Sequence, residues 1–237
     1  MSSGELLNEY KADLAELIEL THRYRKSEPV LRNLRKHRKE PLGVVSKIFN
    51  TKRHNTYLGM VYFCQIGVGQ NKRWDYTAIH TGLIETKKGT CALMFYSKSQ
   101  QALKILPHFF ERYKERVYDL VDWRARNELN VAKDIVDVMK VYLKRNPIIT
   151  WIETNGVFRN KTHIFGPVND GVALLEWDND TKVLQANTFI TNDMLDEKQK
   201  EMVKYAKIYL NLPAEQRQRF KFPDFIEQAK KTDDKSE

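Results

Sequence analysis

The stretch Leu106–Val117, LPHFFERYKERV, sets a histidine, two glutamates and two arginines at helical spacing. At about 3.6 residues per turn, His108, Glu111, Arg112, Glu115 and Arg116 share one arc. Leu106, Phe110, Tyr113 and Val117 share the opposite arc, an amphipathic pattern. The polar arc holds groups that could handle a phosphate. Histidine titrates near neutral pH and can act as base or acid. Arginine presents a planar fork that matches phosphate oxygens. Pro107 predicts that His108 sits near a helix start, where outward N–H groups favour anions. The same pattern also describes a solvated surface helix. A metal site from His108, Glu111, Glu115 and the distant His163 can be drawn, but the flanking arginines would repel a cation.

Later strands offer partners for that arc. In RNKTHIFG, Lys161 and His163 share one strand face by period two. In NTFIT, Asn187, Phe189 and Thr191 share one face, and Thr188 and Ile190 the other. Thr188 could donate a hydrogen bond, although threonine is also simply a good strand former.

The elements around these residues read as α+β. Residues 4–24 have helical periodicity in Leu6, Leu7, Tyr10, Leu14, Leu17 and Ile18. Pro29 opens a second helix, which Pro41 and Gly43 end, and VVSKIFN is ambiguous. Strands are expected at 56–68, 74–86 and 90–98, joined by short turns that favour antiparallel hairpins. Helices follow from Ser99 to about Asp122 and from about Asn127 to Lys144, with a kink or restart at Pro107. Four strands, 148–154, 160–166, 171–177 and 182–191, make a second antiparallel meander. A helix capped by Asn192 or Asp193 comes next, and a last one covers about 214–230, with a break at Pro223. Neither a repeat nor a Gly/Ser/Pro-rich linker divides the chain. The expectation is a basic helical extension over 1–54, an α+β domain over 55–231 with three early strands and a four-stranded late meander, and a frayed tail over 232–237.

Charge points to a polyanion. Of the chain's 237 residues and net charge of +9, the window from His22 to Arg53 holds eleven Lys and Arg against Glu28 and Glu40, an excess equal to that of the whole chain. Arg32, Arg35, Lys36, Arg38 and Lys39 are the densest part, and RNA or another polyanion is the expected partner. A solvated basic helix is the plain alternative. The two cysteines, Cys64 and Cys91, lie in apolar runs and read as buried free thiols in a reducing, cytoplasmic setting. Neither an export signal nor a membrane-spanning run is read. The nucleotide-binding glycine fingerprints, H-E-x-x-H and G-x-S-x-G are absent from the sequence.

The order of parts resembles the barnase–EndoU–colicin–RelE-like group of metal-independent ribonucleases and ribonuclease toxins. The likeness rests on H-F-x-x-R-Y-x-x-R, a second helix ending near Asn146, a G-V-A-L strand and a T-F-I-T strand, over roughly residues 99–195. The three preceding strands and the helices after the sheet depart from that pattern. The resemblance implies RNA cleavage by the 2′-OH through a 2′,3′-cyclic phosphate, without a cofactor or metal. It implies His108 as base or acid, Arg112 on the phosphate, Lys161 or His163 as the complementary group, Thr188 as a donor and Arg116 as a further RNA contact. An antitoxin or another protein partner would fit. The alternative is a non-catalytic nucleic-acid-binding or protein-binding protein that works through residues 22–53.

Overall fold

The computed structural model describes residues 2–36, 42–66, 73–96, 101–147, 149–153, 164–181, 183–219 and 221–233. Among these residues nine strands form one sheet: β1 Leu42–Asn50, β2 Thr56–Ile66, β3 Arg73–Thr86, β4 Gly89–Tyr96, β5 Gln101–Ile105, β6 Ile152–Glu153, β7 Ile164–Val168, β8 Gly171–Asp178 and β9 Val183–Thr191. Their spatial order is β1-β2-β3-β4-β5-β9-β8-β7-β6. The early hairpins and the late meander are antiparallel as expected, but they are not separate sheets. β5 joins them by pairing in parallel with β9, Leu103 beside Leu184 and Ile105 beside Ala186.

One face of the sheet carries α3 Pro107–Val117, α4 Trp123–Val131 and α5 Ile135–Arg145 over the largest core, which includes Met60, Leu103, Phe109, Tyr142 and Phe189. The other face carries α1 Ser3–Arg25 and α2 Glu28–Lys36 at one end. At its other end α6 Glu197–Asn211 and α8 Phe222–Asp233 cover Phe165 and Val172, with α7 Ala214–Arg219 between them in sequence. No helix among the described residues is long and apolar enough to cross a membrane.

The N-terminal stretch is part of this architecture. VVSKIFN lies in β1, whose nine residues all pair with β2. α1 begins with a reciprocal cap, Ser2 N–H to Glu5 Oε2 at 2.6 Å and Glu5 N–H to Ser2 Oγ at 3.3 Å. It buries Leu6, Leu7 and Leu17, yet it also buries Asp13 and Thr21, while Ile18 is 57% exposed. Partners on the sheet and in the β1–β2 turn explain the exchange: Tyr57 Oη and Asn55 Nδ2 each donate to Asp13 Oδ2 at 2.8 Å, and Thr21 Oγ1 lies 2.7 Å from His80 Nε2.

Other differences have local causes. The segment after Ser99 is a strand before it is a helix, because Ala102, Leu103 and Ile105 are too few to separate the two periods. α3 starts at Pro107, whose missing N–H costs nothing at that position. The expected helix over 127–144 divides in two. Asp122 caps α4 through Arg124 and Ala125 N–H, and Asp134 caps α5 through Asp137 N–H, so both aspartates prefer caps to a helix interior. The helix after β9 is capped by Asp196, not Asn192 or Asp193, which belong to a 3-10 turn, Asn192–Met194. Pro223 is the second residue of α8 and does not break it. Cys91 is buried and free, whereas Cys64 is exposed.

Candidate nucleic-acid interface

α3 turns its apolar side to the sheet. Phe109, Phe110, Tyr113 and Val117 are fully buried, and Tyr113 meets the Tyr142 and Phe189 rings edge-on at 4.9 and 5.1 Å. The polar arc therefore faces water. His108 Nδ1 is 3.3 Å from Glu111 Oε2, Arg112 Nε donates to His108 Nε2 at 3.3 Å, and Arg112 Nη1 donates to Glu115 Oε2 at 2.8 Å. The His108 side chain is 55% exposed and that of Arg112 is 40% exposed. Every contact in this ladder is three or four residues apart on one helix, the ordinary pattern of a solvated face. Both imidazole nitrogens are engaged within it. Arg116 turns inward, and its Nη1 donates to the Phe189 carbonyl, so it is no free clamp for a phosphate.

The structure separates Thr188 from His108. Thr188 pairs with Leu174, and directly paired residues point to one face. Leu174 packs on the core under α6 and α8, so Thr188 lies across the sheet from α3. Lys161 and His163 lie outside the described residues. The cleavage set drawn from the sequence is thus not assembled among the described residues, and none of these holds three or more His, Cys, Asp or Glu placed for a metal ion.

A network that the sequence reading missed lies beneath α3. Asp170, in the β7–β8 turn, receives Tyr113 Oη at 2.8 Å, Asn146 Nδ2 at 3.0 Å and Arg145 Nη2 at 2.7 Å. Burial alone would raise the Asp170 carboxyl; the hydrogen bonds from Arg145, Asn146 and Tyr113 outweigh it and hold the group below its usual range. Asn146 closes the knot by accepting Asn169 N–H at 2.9 Å. The Asn-Asp pair at the turn and Arg145-Asn146 at the end of α5 were the only sequence signals, and nothing in their spacing joins them. Because its donors are paired within the protein, this network fixes α3, α5 and the turn together instead of facing a ligand.

The basic window divides by partner. Arg23 pairs with Glu19 at 3.4 Å, Arg32 with Glu28 at 3.0 Å and Arg53 with Glu9 at 2.7 Å. Arg25, Lys26 and Lys47 have no carboxylate partner among the described residues. The Arg25 guanidinium lies 4.1 Å from the centre of the Tyr76 ring, and Lys47 Nζ lies 5.4 Å from that of Tyr24. Tyr24 is held by its hydroxyl, which donates to the Ser46 carbonyl at 2.9 Å. The His22 imidazole is held below its usual value, chiefly by the Lys26 charge, then by burial and Arg25, which marks a positive local field. Arg25 Nη2 lies 2.9 Å from His22 Nδ1. Sequence distance hid this group: Tyr24 and Arg25 end α1, Lys47 is on β1 and Tyr76 on β3, and only sheet pairing brings them together. The side chains of Arg35 and Lys36, and all of Arg38 and Lys39, lie outside the described residues. No family model, curated protein or solved structure matches this chain.

Proposed function

We propose that the protein binds RNA, with the surface around Arg25, Lys26, Lys47, Tyr24 and Tyr76 as the contact. The observation that carries this reading is the stacking of unneutralised cations on tyrosine rings at one end of the sheet. Cations track a phosphate backbone, and aromatic faces stack on unpaired bases whatever their identity. Single-stranded RNA suits that combination better than a duplex, whose bases are already stacked. Cleavage through a 2′,3′-cyclic phosphate has less support, because His108 is bound on both ring nitrogens and Thr188 lies across the sheet. The test is RNA binding measured by fluorescence anisotropy at several salt concentrations. For single strands, each phosphate contact contributes a slope of about −0.7 in log affinity against log salt. Arg25→Glu with Lys47→Glu is expected to weaken binding and remove about two contacts' worth of slope. An unchanged slope, or no binding by the wild type at low salt, would overturn the assignment.

A further inference from the structure

Three lysines from two elements converge on a cavity of about 470 Å³ at the start of α3. Lys87 and Lys88 form the turn between β3 and β4, Lys104 extends from β5, and His108 and Glu111 stand on the first turn and a half of the helix. None of the three lysines has a carboxylate within ion-pair distance among the described residues. Glu111, the one carboxylate among the described lining residues, is placed against His108 Nδ1 at 3.3 Å. Lys104 acts at longer range on Asp178, whose carboxyl its charge helps to lower, so the lining sets three lysines and a histidine against Glu111, with Asp178 outside it.

Its walls are held in place. Thr86 Oγ1 donates to the Gly89 carbonyl at 2.7 Å and accepts Lys88 N–H at 3.2 Å. Gly89 has φ +111, a conformation that L side chains rarely adopt, and a Cβ there would stand 3.4 Å from Pro107 Cγ. The lysine turn thus packs against the helix start. Lys104 pairs with Leu93 and with Gln185 in the ladder, so sheet hydrogen bonds set its position. Leu106, the residue before α3, offers no capping oxygen, so no side chain competes for an anion at that helix end.

We propose that this cavity binds a phosphate monoester. Three positive charges match a dianion, lysine serves such groups as a point charge, and the volume suits a nucleotide-sized ligand. The phosphate could be carried by a free nucleotide or by the 5′ end of an RNA strand. The site is distinct from the Arg25–Tyr76 surface and does not rest on it.

Calorimetric titration of the full chain tests this with four probes: adenosine, adenosine 5′-monophosphate, and one oligoribonucleotide with either a 5′-hydroxyl or a 5′-phosphate. Binding is expected to depend on the phosphate. Lys87→Gln with Lys88→Gln, in an exposed turn, is expected to weaken it by about tenfold or more, as for loss of charged hydrogen bonds. Lys104→Met, which keeps the stem of the side chain, is expected to do the same. Phosphate-dependent binding of the mononucleotide assigns a free ligand, and dependence seen only with the oligomer assigns a strand end. Arg25→Glu with Lys47→Glu would lower affinity for both oligomers alike, which separates the two surfaces. The proposal fails if neither phosphorylated probe binds better than its unphosphorylated counterpart, or if the glutamine variant melts normally and keeps the full preference for phosphate.

Discussion

The Arg145 guanidinium grips the Asp170 carboxylate with two prongs, Nη2 to Oδ1 at 2.7 Å and Nε to Oδ2 at 2.9 Å. Arg145 ends α5 and Asp170 sits in the β7–β8 turn, so the pair pins a helix to the edge of the late meander. Tyr113 of α3 donates to the same carboxylate, which makes it the point where three elements are fixed relative to one another.

Asp170→Ala would leave the Tyr113 hydroxyl, the Asn146 amide and the Arg145 guanidinium without their acceptor. Removing one partner of a largely buried pair costs about 3–5 kcal/mol, and the Asp170 side chain is only 9% exposed. Urea unfolding at neutral pH should show that loss, while Asp170→Asn, which keeps one acceptor, should lose less. The carboxyl is depressed in the folded state, so its contribution is complete above its unfolded value of about 3.9. It disappears as pH falls through the lower folded value. Asn at this position should therefore flatten the acid limb of the stability curve; an acid limb identical to wild type would contradict the network's role.

His80 is a buried base on the other face. Burial pushes its imidazole down to about 4, and the side chain lies against Thr21. The unfolded histidine binds a proton near pH 6.5, so between those values the unfolded state carries more protons. Stability should fall as pH drops from 6.5 towards 4, by up to about 3 kcal/mol in total. His80→Gln should abolish most of that slope even if it lowers stability at pH 7. Denaturant curves at pH 5 and pH 7 for both proteins would decide it, and parallel slopes would count against the assignment.

His108→Ala and Arg112→Ala remove exposed members of a surface ladder. Each should change stability by within about 0.5 kcal/mol. With a chelator present, neither the wild type nor either variant should leave a 2′,3′-cyclic phosphate end on a generic RNA, and affinity for an unphosphorylated RNA should stay within about twofold of wild type. A general acid or base would be worth about 10²–10⁴-fold in rate. A metal-independent cut by the wild type that either variant loses would restore catalysis to this helix.

Two glycines should respond oppositely to alanine. At Gly171 a Cβ would lie 2.1 Å from the Ile190 carbonyl oxygen and 2.8 Å from Phe189 Cζ, and backbone cannot move aside cheaply. Gly171→Ala should cost about 1–3 kcal/mol or more. At Gly4, in the first turn of α1, nothing lies within 4 Å of that position, and Gly4→Ala should be neutral or stabilising by up to about 1 kcal/mol. Thermal melts of the two variants would show the contrast, and equal shifts would refute it.

Periodicity in the sequence was enough for what depends on neighbours along the chain. The hairpin strands β2 to β4, the late meander, α1 and the amphipathic α3 were all legible, because period two and period 3.6 are written locally and turn residues punctuate them. Elements too short for a period to be counted were misread, β5 above all, where Ala102, Leu103 and Ile105 fit a strand or a helix equally well. Tertiary structure decided what depends on residues distant in sequence. It joined two expected sheets through the β5–β9 pair and put Thr188 on the face away from His108, because the ladder register pairs Thr188 with Leu174 on the side under α6 and α8. It also set Arg53 against the distant Glu9 and left Arg25 and Lys47 beside tyrosine rings with no carboxylate partner among the described residues. A charge count gives the total; only the positions of the opposing carboxylates determine which charges remain available to a polyanion.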